Sequence, residues 1–338
     1  MEPVCRRNPG FELQLQPGTG YTSQKWVTDP ESVKQTAATG PAGSIADHVS
    51  FPRNGCSMRR WVFISFFGVL LVAGVGLVLT FLSKLRGESN EVVCTNNLRE
   101  ITLFAAHHTS PKPGRDGIPL MHQIPAGTIV LPGVPPEDRL SWLVSTLPGL
   151  DQKRQNMEPI LAEIDQTRPW TAERNRQAAK TKLRVVLCPG APPDIGSDAP
   201  APTQYVGIAG LGVDAATIPL APLSGVAPPR AGCFRYDAPT PFEAITDGLS
   251  QTLLLGERSS DLGPWLQGGP STVRGIDDAP GARLLVGPYG QFGGCHPQKA
   301  NWAFADGSVR FLTEQIDPKI LYGLATIAGK DQDPIPGE

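Results

Sequence analysis

Nine residues separate His296 from the pair Asp306-Gly307, and Glu257 closes the upstream run Leu253-Leu-Leu-Gly-Glu. An imidazole and carboxylates brought together can hold a metal or act as general acid and base. The same residues have simpler work available. Asp306 with Gly307 makes a turn, His296 caps the entry to a strand, and Glu257 accepts backbone donors. The simpler reading is the expectation, and no enzymatic activity is expected. The other histidines after residue 84 are His107, His108 and His122. Adjacent His107 and His108 point to different faces of a helix and do not suit one metal. Asp277, Asp278, Asp306 and Asp317 offer oxygen ligands for calcium, but no D-x-D-x-D-G ladder is present. No cofactor is therefore expected. There is neither a Gly-x-Ser-x-Gly elbow nor a Gly-x4-Gly-Lys phosphate loop.

Cysteines divide around residue 60. Cys5 and Cys56 precede it, while Cys94, Cys188, Cys233 and Cys295 follow. Four in one long segment suit two disulfides in an oxidising compartment, with three possible connectivities. No C-x-x-C pair indicates a zinc ribbon.

The elements that must position these residues begin at a membrane. Trp61 to Ser83 is a run of 23 uncharged residues, long enough as a helix to cross a hydrocarbon core of about 30 Å. It is longer than a secretory core and ends without an Ala-x-Ala site, so a retained anchor over 58–84 is expected. Arg53, Arg59 and Arg60 lie before it and Lys84 and Arg86 after it, a small excess favouring a cytoplasmic N-terminus. Gly68, Gly74, Gly76 and Thr80 leave small surfaces for another helix. Residues 1–57 mix Pro, Gly, Ser and Thr without apolar period and read as a disordered tail. A net charge of −2 supplies no basic surface for nucleic acid.

Residues 85–338 suffice for one domain with a real core. Cys94, Leu98, Ile101 and Ala105 form one stripe of an amphipathic helix running to His108. Gly87-Glu-Ser-Asn90 is expected to interrupt the path from the span. Pro136 to Leu147 and Thr171 to Lys182 read as further helices, with Thr171 a candidate N-cap. Leu183–Leu187, Gln204–Ile208 and Thr252–Leu255 read as short strands, and 189–202 and 217–231 as Pro-rich connections. Ala300–Ala305 and Ser308–Leu312 flank Asp306-Gly307 as a hairpin, with Trp302 and Phe304 on one face. Pro318 to Ile327 reads as a closing helix.

These residues carry a resemblance. Cys94-Thr-Asn-Asn-Leu-Arg-Glu-Ile, Leu140-Ser-Trp-Leu, Leu187-Cys-Pro and Tyr205-Val-Gly-Ile-Ala-Gly are four pieces of it. Ile245-Thr-Asp247-Gly248-Leu-Ser-Gln-Thr-Leu-Leu-Leu-Gly-Glu257 and His296-x9-Asp306-Gly307 complete it. Together they resemble the planctomycete prepilin-like family with a C-terminal His-x9-Asp-Gly motif, domain of unknown function 1559, sometimes labelled solute-binding. The resemblance covers residues 58–338. It implies an α+β fold, a transmembrane helix followed by a pseudopilin-like domain with an amphipathic helix packed on a mainly antiparallel sheet. It also implies Cys94–Cys188 as the first disulfide, leaving Cys233 and Cys295 for a second. The junction Cys56-Ser-Met-Arg-Arg-Trp lacks the Phe-Thr-Leu run and the Glu of prepilins, so an uncleaved single-pass anchor is expected.

The expectation is a non-enzymatic envelope protein in the cytoplasmic membrane with an extracytoplasmic domain and a protein partner. The alternative is an anchored solute- or glycan-binding module using loops around Trp265 and Pro288.

Overall fold

The computed structural model describes residues 55–107, 123–150, 155–190, 196, 198–220, 227–294, 296 and 299–329. The expected tail up to residue 54, Cys5, His108, His122, Cys295 and parts of both Pro-rich connections lie outside them. Two units divide the chain, residues 1–64 and 65–338.

The elements are helix α1 (Gly55–His107), β1 (Gln123–Ile124), α2 (Leu143–Thr146), α3 (Glu158–Glu163), α4 (Arg176–Lys180), β2 (Tyr205–Leu211) and β3 (Thr240–Pro241). Then come β4 (Leu253–Glu257), β5 (Val273–Ile276), β6 (Lys299–Phe304), β7 (Val309–Thr313) and α5 (Pro318–Ala325). The fold is α+β. Five strands form a sheet in the order β5-β2-β4-β6-β7, antiparallel except for the parallel β2–β5 pair, and β1 pairs with β3.

Helix α1 is continuous, which corrects the expected interruption at Gly87–Asn90. A single glycine costs a helix only about 1 kcal/mol, and Glu, Ser and Asn do not break it. Side chains from Arg59 to Ser89 are exposed, and packing begins at Asn90. The stripe then behaves as its spacing demands, with Cys94, Leu98, Ile101 and Ala105 fully buried.

Alternation along the strands sends side chains to two cores. Tyr205, Ala209, Leu255 and Ala303 join the stripe of α1 on one face. Val206, Ile208, Trp302 and Phe304 meet Leu321 and Leu324 of α5 on the other. The register of β4 shifts between Leu253 and Leu255, so Leu254 and Leu255 both reach the α1 side. Gly256 is glycine for a contact reason: a Cβ there would lie 2.7 Å from Phe292 and 2.9 Å from Trp302.

The hairpin forms as expected, with Gly307 at φ 86° in the turn. Three other readings change. Leu183–Leu187 is not a strand, because Arg184–Val186 is a 3-10 turn, and the carbonyls of its first residue, Arg184, and of Leu187 just after it accept from Asn97 of α1. Thr171 caps no helix. A 3-10 turn at Glu173–Asn175 precedes α4, and buried Asn175 donates to the carbonyls of Asp165 and Pro169. Pro136 opens only a 3-10 turn, and the helix beyond it shrinks to α2.

Candidate functional site

The seam between α1 and the sheet gathers the chemistry-bearing residues. Glu91, Cys94, Thr95 and Leu98 recur at helical spacing and so share one face. Cys94 is bonded to Cys188 with their Cα atoms 5.4 Å apart, the pairing the resemblance implied. Cys188 is held from the sheet side, since its backbone N–H donates to Gln204 Oε1 at 2.6 Å.

Glu257 ends β4 with its side chain fully buried. Its Oε2 accepts both the backbone N–H and the side-chain amide of Asn301, each at 2.9 Å. Asn301 Oδ1 in turn lies 3.3 Å from Thr95 Oγ1 on α1. Lys299 Nζ sits 2.7 Å from Glu91 Oε1 and 4.2 Å from the centre of the Phe311 ring. Amide chain and ion pair thus tie the same turns of α1 to β4 and β6, and the disulfide ties them to the Cys188 segment that leads into β2.

His296 completes the group. It bridges to Lys299 at the entry to β6, and its Nε2 lies 3.6 Å from Cys188 Sγ. Burial holds its pKa below the ordinary 6.5, Lys299 pushes the same way, and Glu91 opposes them. The imidazole is therefore neutral at pH 7.

Cys94, Cys188, Glu257 and His296 each offer a ligand atom, all within 4.8 Å of one another. Among the described residues no other such group occurs. Bonded to each other, the sulfurs are not thiolates, and the imidazole and carboxylate alone fall short of the three or four protein ligands a zinc site takes. The oxidised seam reads as a buried joint.

Asp306 is not part of it. It follows β6 while His296 precedes it, and six residues of strand span roughly 20 Å. The notion of His296 and Asp306 meeting across the hairpin is corrected; only Glu257 joins the histidine. Asp306 accepts from Ser308 N and Oγ at 2.8 and 2.7 Å, a turn role. Asp247 accepts Gly329 N at 2.7 Å, and Gly248 supplies a positive φ of 98° before the next turn. Two further calcium candidates serve local structure, Asp317 capping α5 through Lys319 N and Asp277 accepting Ala279 N.

Cys233 is a buried free thiol, pushed up in pKa by burial, so the second bridge is not formed. Trp265 is fully buried and donates to Thr181 O at 3.0 Å. It stacks on no external glycan, and the Pro288 carbonyl accepts from Ser259. Sequence reasoning missed Thr95, Asn301, Lys299 and Glu91. Asn301 carried a signal: it is the polar residue in the otherwise apolar strand Ala-Asn-Trp-Ala-Phe-Ala.

A family model described as "Protein of unknown function (DUF1559)" matches residues 91–282 and 273–319. No curated protein and no solved structure matches the chain.

Proposed function

We propose, since this chain belongs to the DUF1559 family, that it is a non-enzymatic membrane-anchored module with its domain outside the cytoplasm. Its role in this reading is structural or interaction-based within an envelope assembly, in the manner of a pseudopilin, with a protein partner. The observation that carries the reading is the span Trp61–Ser83, free of charge and exposed along its whole length on α1. Apolar surface on that scale calls for lipid or protein cover. The Cys94–Cys188 bridge supports an oxidising compartment for the domain. The Cys94–Cys188 bond and the burial of Glu257 and His296 support a joint over a catalytic centre.

Fractionation of cells expressing the full chain tests this. The chain should resist alkaline extraction from membranes, and protease added outside the cytoplasmic membrane should degrade the domain. Leu71→Lys with Val75→Lys, each costing about 2.5–3.5 kcal/mol at a helix centre, should release it. A wild-type chain found in the soluble fraction, or one whose N-terminus lies beyond residue 83, would defeat the anchor.

A further inference from the structure

On the side of the sheet away from α1, a cavity of about 380 Å³ is lined by Arg258, Arg274, Arg283, Gln291, Phe292 and Val213, together with Asp277. Arg258 follows β4, Arg274 lies on edge strand β5, and Arg283 comes from the loop beyond it. Only 4% of the Arg258 side chain is exposed. A charge so buried demands compensation, and little is supplied. Its Nε and Nη2 donate to Ser260 O at 3.2 and 3.1 Å, and Nη2 lies 3.7 Å from Asp261 Oδ2.

The same Asp261 serves all three arginines. Its Oδ2 accepts from Arg283 Nη1, and its backbone carbonyl accepts from Arg274 Nη2 at 2.8 Å. Arg274 Nε donates to Pro270 O. Asp277 brings a second carboxylate, which accepts the N–H of Ala279. Among the described residues, Nη1 of Arg258, Nη1 of Arg274, and Nε and Nη2 of Arg283 donate to no protein atom. Burial and repulsion from Arg274 lower the Arg258 pKa to about 10. Asp261 itself holds the left-handed conformation, φ 49°, the one non-glycine residue to do so among those described.

We infer that this cavity is a binding site for the oxyanion end of a small solute, a carboxylate or a phosphate held by the guanidinium donors of Arg258, Arg274 and Arg283. Planar guanidinium forks suit such groups. The volume exceeds a bare ion, and the buried Phe292 ring gives the remainder of the solute an apolar wall. This goes beyond the anchored-scaffold reading and does not depend on it.

Isothermal titration of the full chain in detergent micelles tests the site. Inorganic phosphate and citrate are separate arms, with ionic strength held constant by sodium chloride. Saturable heat in one arm is expected, and the arm that binds identifies phosphate or carboxylate as the group recognised. Arg274→Gln and Arg283→Gln should each weaken binding roughly ten- to a hundredfold, the loss of a charge-assisted contact. Arg283 is surface-exposed, so its variant folds even where an Arg258 substitution does not. No saturable heat in either arm, or unchanged binding in both variants, overturns the inference.

Discussion

Glu257 and Arg258 are consecutive, both are buried, and they face opposite sides of the sheet. Glu257 turns to the α1 seam, where Asn301 gives it two hydrogen bonds and Thr95 extends the chain to the helix. Arg258 turns to the cavity, where the Asp261 carboxylate nearest to it already pairs with Arg283 and Arg274 takes only that residue's backbone carbonyl. The difference separates two uses of buried charge. A charge answered by protein donors holds elements together and leaves nothing for a ligand. A charge left under-answered costs stability unless something else binds, and that pattern marks sites kept for function.

The seam is the place to look for large stability effects. The Cys94–Cys188 bridge closes a loop of 94 residues. Replacing both cysteines with alanine should cost the full chain about 2–5 kcal/mol, a fall in Tm of roughly 5–15 °C. A melt in micelles, followed by circular dichroism, measures it. A change below 1 °C would mean that the amide chain and ion pair suffice to hold α1.

Glu257→Leu leaves two buried Asn301 donors without their acceptor and should cost about 1–3 kcal/mol. Glu257→Gln keeps an oxygen where Oε2 stood and should recover most of that loss. If Gln and Leu are equally damaging, the negative charge, rather than the hydrogen bonds, is what the seam uses.

His296 sharpens the same region through pH. Its folded pKa lies below the unfolded 6.5 because burial disfavours the imidazolium. The unfolded chain then binds more protons, so stability rises with pH across this window. The contribution is complete above about pH 6.5 and is lost as pH falls from there toward the folded value. His296→Gln should flatten that part of a stability–pH curve measured by urea melts. A wild-type curve without slope below pH 6.5 would show that Glu91 balances burial.

Local pattern made much of the seam legible. The stripe from Cys94 to Ala105 needs only one helical period, and the hairpin needs only Asp306-Gly307 between alternating strands. The Leu183–Leu187 run misled because four apolar residues around one arginine fit a buried turn as well as a strand, and Asn97, far away in sequence, decides between them. The parallel pairing of β5 with β2 joins residues more than 60 positions apart and leaves no local trace. The arginine cavity was invisible for the same reason. Arg258, Arg274 and Arg283 carry no common period, and only the sheet edge and two loops bring them together. His296 and Asp306 show the reverse error, since a motif conspicuous in sequence lies at the two ends of one strand.

The smallest expected effect on stability is the most informative about the cavity. Asp261 is half exposed and pairs with Arg283 at the surface, a contact worth about 1 kcal/mol or less. Its carboxyl is held below the ordinary range chiefly by the hydrogen bond from Arg283, so it is ionised at neutral pH. Asparagine tolerates the left-handed backbone as well as aspartate does. Asp261→Asn should therefore leave the melt within about 1 kcal/mol of wild type while removing the carboxylate that competes for the guanidiniums. Titration with the anion that binds the wild type should then show tighter binding. Weaker binding would assign Asp261 the opposite role, that of holding the arginines in position for the anion, and the contrast with Glu257 would narrow to a difference in exposure.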